Sequence, residues 1–282
     1  MNKQNVIDFF DKAAAGWDRV NGQNRQAVAF ILDHAGLFPG ARVLDVACGT
    51  GVLFPEYRAR AVGQLTGVDI SREMIRTAQA KFPEARLLCA DAETEPLGEF
   101  DCIVVYNAFP HFAEPERLIR KLASELAPGG TLTVAHGMSR EQINAVHSGK
   151  ASDVSAPLLP VEELEALMGR YLQVRVAVSD DSMYQVSGVK ADAPRDGETP
   201  APAPEVLRES GLVRGSAEEQ AALLAYLLRH NGQHAEEFLR IRGELAALGR
   251  TAAAAKLDEC LALLREADAK LAEAEELLKG EL

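Results

Sequence analysis

The sequence has no long hydrophobic run. No apolar stretch approaches the ~20 residues a helix needs to cross a bilayer, so no membrane span is expected in the 282 residues. The N-terminus, MNKQNVIDFFDKAAAGWDRV, lacks an apolar core followed by a small-residue cleavage site, and no secretory signal is expected there. Cysteine is scarce. Cys48, Cys89, Cys102 and Cys260 are scattered without a CxxC pair, and the first three lie in apolar or turn contexts of the kind that bury free thiols. A disulfide framework is thereby excluded, and a reducing, cytoplasmic setting is expected. Positive charge is short as well: the formal net charge is −12, the pI is near 5.1, and there is no basic run. An acidic surface repels phosphate backbones, so nucleic acid is not an expected partner.

What is present is an alternation of strand and helix patterns. Residues 24–36 repeat apolar positions at helical spacing and end at Gly36. ARVLDVA reads as a strand, and VLFPEYRARA as a helix with Pro55 in its first turn, where proline is tolerated. QLTGVDI is a second strand. SREMIRTAQAKF is a helix capped by Ser71, with Met74, Ile75 and Ala78 on one face. ARLLCADA is a third strand, and FDCIVVYNAF a fourth, apolar almost throughout as expected of a strand covered on both faces. EPERLIRKLASELAPGG is a helix stopped by Pro128 and two glycines, TLTVAHG a fifth strand, and VEELEALMGRY another helix. LQVRVAVSDDSMYQVSGVK closes with two strands whose short turn predicts antiparallel pairing at one edge. Residues 1–190 therefore predict an α/β domain, a doubly wound, mostly parallel sheet that binds ligands beyond the carboxyl ends of its strands.

The composition then changes. Residues 191–204, ADAPRDGETPAPAP, read as a proline-rich linker. Residues 205–282 are rich in Ala, Leu and Glu without a strand signal. Leu223, Leu224, Leu227 and Leu228 recur at helical intervals, as do Leu257, Leu261, Leu264 and Leu271. An all-α hairpin or bundle joined near Gly249 is expected, and it is the element through which a homodimer would form. Its 15 acids against 10 bases leave it as acidic as the rest.

The stretch with the most chemical information is VLDVACGTG, residues 43–51. A strand ending in a glycine turn delivers backbone N–H groups to a nucleotide. The dinucleotide fingerprint GxGxxG fits only in part, because Gly49 and Gly51 match and the third position is Phe54. No GK[ST] follows, which excludes a P-loop. Asp45 would repel a pyrophosphate but suits a ligand carrying an ammonium group. Each residue also has a bland alternative. The glycines would make a tight turn, Asp69 would cap the helix that Ser71 opens, Cys48 would be a small packed residue, and Trp17 would be core filler.

VLDVACGTG resembles motif I of class I S-adenosylmethionine-dependent methyltransferases, and further motifs follow in order over residues 5–190. TGVDIS supplies Asp69, 24 residues after Asp45, in the place of the ribose-binding acid. ADA supplies Asp91 and Ala92, where the family contacts adenine. YNAF follows the fourth strand, and LAPGGTLTV leads into the fifth. FFDKAAAGWD resembles the opening of the ubiquinone and menaquinone methyltransferase group. The resemblance implies S-adenosyl-L-methionine as cofactor, held by Trp17, Asp45, Ala47, Cys48, Gly49, Gly51, Asp69, Ile70, Met74, Asp91, Ala92, Asn107 and Phe109. It also implies methyl transfer to a small-molecule acceptor.

That chemistry needs alignment and a dry pocket, and it needs a base only where the acceptor must lose a proton. His111, after the fourth strand, is one candidate. Asn107-Ala108-Phe109-Pro110 departs from the Asn/Asp-Pro-Pro-aromatic motif of nucleic-acid amine methylation, which weakens such a substrate. AHGMSREQINAVHSG adds His136 or His147 as base or metal ligand, with Arg140, Asn144 and His147 binding substrate and Arg140 suited to an anion. The alternative is a helix capped by Ser139 with Gln142 completing a capping box. In RHNGQHAEE, His230, His234 and Glu237 have spacing that could hold a divalent metal, although a solvated polar face or a turn is the favoured reading. A second functional class also fits, a cofactor-binding protein without turnover whose helical module binds a metal or a partner.

Overall fold

The computed structural model describes residues 2–20, 24–148, 152–191, 206–210, 235 and 238–280. The chain forms two compact units, Met1–Ser210 and Gly211–Leu282. The first opens with helices α1 (Lys3–Ala13), α2 (Trp17–Val20) and α3 (Arg25–Asp33). Strand and helix then alternate: β1 (Arg42–Val46), α4 (Phe54–Ala59), β2 (Gln64–Asp69), α5 (Arg72–Lys81), β3 (Arg86–Cys89) and β4 (Phe100–Tyr106). They continue through α6 (Pro115–Ser124), β5 (Leu126–His136), α7 (Arg140–His147), α8 (Val161–Met168), β6 (Gln173–Ser179) and β7 (Tyr184–Val189).

The seven strands form one sheet in the order β3-β2-β1-β4-β5-β7-β6. The first five are parallel, and β7 runs antiparallel to both β5 and β6, as the short turn between the last two strands predicts. The order reverses between β1 and β4, so a crevice opens beyond their carboxyl ends. Leu44, Val46, Ile103, Val105, Leu132 and Val134 are buried completely in the principal core. The helix caps follow the sequence: Asn24 accepts from the Ala27 N–H, and Ser71 from the Met74 N–H.

Two local readings change. The expected helix through LAPGG stops at Ser124. Leu126 pairs with Phe100 instead, and the register shift between Phe100 and Cys102 absorbs the Pro-Gly-Gly step, so these residues belong to β5. Cys48 and Cys102 are buried as expected, but Cys89 is exposed at the end of β3. Residues 206–210 pack with the first unit. Leu207 adds beside Val176, its N–H donating to the Arg175 carbonyl and its own carbonyl accepting from Ala177.

In the second unit, a helix over 238–247 (α9) and the long α10 (Thr251–Gly280) meet at a turn where Gly249 has φ +70°. Arg242 of α9 pairs with Asp258 of α10 at 3.0 Å across that turn. Ala254 and Leu261 are buried along α10. Residues 192–204 of the linker, residue 205, and the leucine repeat at 223–228 lie outside the described residues. Among the described residues no helix is long and apolar enough to cross a membrane.

Candidate active site

The site is built where β1, β2, β3 and β4 end. After Val46 the chain takes left-handed backbone at Ala47 (φ +53°), Gly49 (+55°) and Gly51 (+80°). A side chain in that region costs on the order of 1 kcal/mol, which explains two of the three residue types and marks Ala47 as held by its surroundings. Asn107, just past β4, has the same conformation (φ +53°), braced by its Oδ1 accepting from the Gly137 N–H at 3.1 Å. Gly51 is glycine for a second reason. A Cβ there would lie 2.9 Å from the Phe82 ring and 3.0 Å from Phe54. The bulky Phe54 at the third fingerprint position is therefore a packing partner of this turn.

A cavity of about 240 Å³ opens at this edge. Twelve of the residues singled out in the sequence line it. The β1 turn supplies Ala47, Cys48 and Gly49, β2 and α5 supply Asp69, Ile70 and Met74, and β3 leads to Asp91 and Ala92. Asn107, His111, His147 and Trp17 complete that set. Asp69 is held on both oxygens, Oδ2 accepting from the Gly49 N–H at 2.9 Å and Oδ1 from the Ser71 N–H at 2.8 Å. Burial outweighs these bonds and pushes its carboxyl up to about 6. Asp91 behaves oppositely. Burial works against its charge, but Lys3 at 2.5 Å and the Glu93 N–H hold it below the usual carboxylate range.

The remaining candidates sit elsewhere. Asp45 is sealed behind the turn, only 2% exposed, with burial raising its carboxyl well above the ordinary value; it does not form part of the cavity wall. Gly51 shapes the turn from behind, and Phe109 turns into the core. His136 is fully buried opposite Tyr184 of β7, with neither ring nitrogen partnered among the described residues, and burial lowers it to about 3. Ser139 closes a complete capping box with Gln142. Arg140 and Asn144 hold the chain rather than the cavity: Arg140 Nε donates to the Leu158 carbonyl, and Asn144 Oδ1 accepts from the Leu158 N–H. His230, His234 and Glu237 lie outside the described residues. Among the described residues, no three His, Cys, Asp or Glu side chains are placed to hold a metal.

The sequence reading missed one wall entirely. Lys3, Val6 and Phe10 of α1 line the cavity, as do Tyr106, Phe112, Met138, Ile143 and Val146. The signal for α1 was available, since residues 3, 6 and 10 recur at helical spacing. Lys3 also bonds Glu93 at 2.6 Å. His111 donates from Nδ1 to the Val154 carbonyl at 2.8 Å, and burial lowers it to about 4. Its ring meets Phe10 edge-on at 4.9 Å and His147 at 5.0 Å.

Residues 43–130, which contain this turn and the ends of all four strands, match the family described as a methyltransferase domain. This segment is a class I S-adenosylmethionine-dependent methyltransferase domain. The chain carrying the methyltransferase domain is 33% identical over 142 residues to a ubiquinone biosynthesis O-methyltransferase of Xanthomonas campestris pv. campestris, a match covering 46% of this chain and 59% of that protein. It is 31% identical over 137 residues to a demethylmenaquinone methyltransferase of Renibacterium salmoninarum, covering 46% and 57%. The chain thus spans under two thirds of the length of these relatives. Two solved structures share the fold. One is a chain of the Haloferax volcanii complex containing the Trm112 methyltransferase activator, with TM-score 0.54, 21% identity and coverage of 64% of this chain and 97% of that one. The other is a Thermotoga maritima SAM-dependent methyltransferase described as a possible histamine N-methyltransferase, with TM-score 0.50, 20% identity and coverage of 66% and 99%. Residues 220–278 match a domain of unknown function, DUF8180.

The cavity of the methyltransferase domain fits its cofactor. Adenosine presents hydroxyl and amine donors, and the wall offers the carboxylates of Asp69 and Asp91. Ile70, Ala90 and Ala92 also line the cavity, small or apolar surfaces suited to a flat base. A Cβ at Gly49 would project into the cleft, 3.7 Å from Trp17 Nε1 and 4.0 Å from Met74 Sδ, so its absence leaves room for a ligand against the turn.

Proposed function

We propose that this protein transfers a methyl group from S-adenosylmethionine to an uncharged small-molecule acceptor by in-line displacement. The observation that carries this reading is one cavity lined by two kinds of residue. Asp69, Asp91 and the glycine turn line it, and so do Phe10, Phe112, Met138, Ile143 and Val146 together with the imidazoles of His111 and His147.

When bound, the cofactor supplies a methyl carbon activated on a sulfonium. The chain's own residues do the rest. Asp69 would take the ribose hydroxyls and Asp91 the adenine amine, while the left-handed turn at Ala47–Gly49 presents backbone to the amino-acid end. Trp17 and Met74 would flank the ligand. The apolar lining residues would shield the reacting atoms from water and fix the approach of the acceptor, which is where such a reaction gains most of its rate. His111 is neutral at physiological pH and can take a proton there. A covered pocket on a protein of net charge −12 favours a small acceptor over a nucleic-acid polymer.

Calorimetric titration with S-adenosylhomocysteine tests the reading. A dissociation constant from about 1 μM to 1 mM is expected, the range in which enzymes usually hold their substrates. Absence of binding at millimolar ligand would overturn it.

A further inference from the structure

Resting on that methyl-transfer reading, we propose that the loop over residues 152–158 locks His111 in its Nδ1–H tautomer, so that Nε2 faces the cavity as a proton acceptor. Arg140 and Asn144 are positioning residues for this loop.

A backbone carbonyl can only accept a hydrogen bond. The 2.8 Å contact between His111 Nδ1 and the Val154 oxygen therefore places the ring proton on Nδ1. In a neutral imidazole the other nitrogen then carries a lone pair. His111 lines the cavity, and its bond to Val154 engages Nδ1, which leaves Nε2 for the cavity. Burial keeps the ring neutral, in agreement with this assignment.

The loop that supplies the carbonyl is fastened along its length. Leu158 is gripped from both sides of its backbone, its N–H donating to Asn144 Oδ1 at 2.8 Å and its carbonyl accepting from Arg140 Nε at 2.9 Å. Ala156 N–H donates to the Pro110 carbonyl at 2.8 Å, which ties the loop to the residue just before His111. The Val154 side chain is buried against Val6, with Phe9, Phe10 and Ile70 around it. Phe10 and His147 bracket the imidazole edge-on and hold its plane. Three separate attachments thus converge on one proton position.

The chemical consequence concerns the acceptor. As its atom gains the methyl group, its proton passes to the Nε2 lone pair. The positive charge lost by the sulfonium is regained by the imidazolium, whose Nδ1–H still points at the Val154 carbonyl. The site therefore suits an acceptor that carries a proton on the atom to be methylated, since Nε2 in this tautomer accepts that proton's hydrogen bond and can take the proton as the methyl bond forms.

Long-range proton–nitrogen spectra of the full chain labelled with 15N-histidine, at pH 7, test the assignment. His111 is identified by the signals lost in His111→Asn, whose amide can still donate to Val154. The wild type is expected to show a protonated Nδ1 and an unprotonated Nε2. Asn144→Ala should shift the ring toward the opposite tautomer while S-adenosylhomocysteine affinity stays within about twofold, and Asn144→Asp, which keeps the acceptor oxygen, should restore the wild-type pattern. An Nε2–H tautomer in the wild type overturns the proposal. So does a pattern unchanged when both Arg140 and Asn144 are replaced by alanine. Failure of the cofactor titration alone refutes the methyl-transfer reading and leaves the tautomer result standing.

Discussion

Asp69 and His136 are both buried, and they respond to burial in opposite directions. Burial disfavours charge, so the carboxyl of Asp69 rises to about 6 and the imidazole of His136 falls to about 3. For His136 the linkage to stability has a definite sign. An unfolded histidine titrates near 6.5, so below that pH the unfolded chain binds a proton that the folded chain refuses. This one group then removes about 1.4 kcal/mol of stability per pH unit on acidification, down to about pH 3. Replacing it with leucine deletes the effect. In urea titrations at pH 7.5 and pH 5, the wild type should lose about 2 kcal/mol more than His136→Leu between the two pH values. Equal losses would mean that His136 is charged or solvated in the folded protein.

The turn glycines show how far single residues were legible. Gly49 and Gly51 announced themselves by spacing, because a left-handed turn is a local requirement. Why position 54 is phenylalanine was not legible, since the reason lies in Phe82, 28 positions away and in ring contact at 5.1 Å. Gly137 is similar: a Cβ there would sit 2.4 Å from the Tyr106 hydroxyl, a contact no local pattern reveals. Gly51→Ala meets both strain at φ +80° and the Phe54–Phe82 pair. It should cost about 2–4 kcal/mol, the sum of a left-handed side chain and an overpacked core, read as a lowered urea midpoint.

At the scale of elements, α1 is the piece whose role the sequence understated. Its apolar and acidic residues were visible, but what they face depends on α5 and β3. Asp11 reaches the start of α5, accepting from the Ser71 hydroxyl at 2.5 Å and the Glu73 N–H at 3.2 Å, while Lys3 binds Asp91 and Glu93. Asp18 adds a bond from the Thr50 hydroxyl in the glycine turn. The N-terminal segment is thus tied by polar contacts to the residues proposed to hold the cofactor, with Val6 and Phe10 over the cavity between the ties. Asp11→Ala removes a charge-assisted pair of hydrogen bonds worth about 1.5 kcal/mol. The S-adenosylhomocysteine dissociation constant should rise roughly tenfold, and trypsin should cleave faster at Lys12. Unchanged affinity with faster cleavage would show that α1 covers the cavity without contributing to binding. The strands, by contrast, were legible almost residue by residue. Continuous apolar runs such as that of β4 reflect burial on both faces, a property the sequence carries by itself.

At the scale of the whole molecule, composition located the change from α/β to all-α architecture, and tertiary contact located its boundary. Proline and polar residues from 191 onward mark where strand patterning ceases. They do not report that the chain returns to the sheet at Leu207, because five residues carry too short a pattern to read as a strand. The return matters because β6 is the outermost strand, and an open edge exposes unpaired backbone groups. Leu207 satisfies two of them through the Arg175 carbonyl and the Ala177 N–H. Arg208 pairs with Glu165 at 2.8 Å, and the Ser210 hydroxyl donates to Asp180. A chain ending at Ser210 should therefore fold and bind S-adenosylhomocysteine as the full protein does. A chain ending at Lys190 loses two edge hydrogen bonds, together worth about 2 kcal/mol, and its melting temperature should fall by roughly 4–8 °C relative to the 210-residue form. Differential scanning calorimetry of the two truncations decides the point. Identical transitions would show that residues 206–210 rest on β6 without stabilising it, and would return the working boundary to the start of the proline-rich stretch.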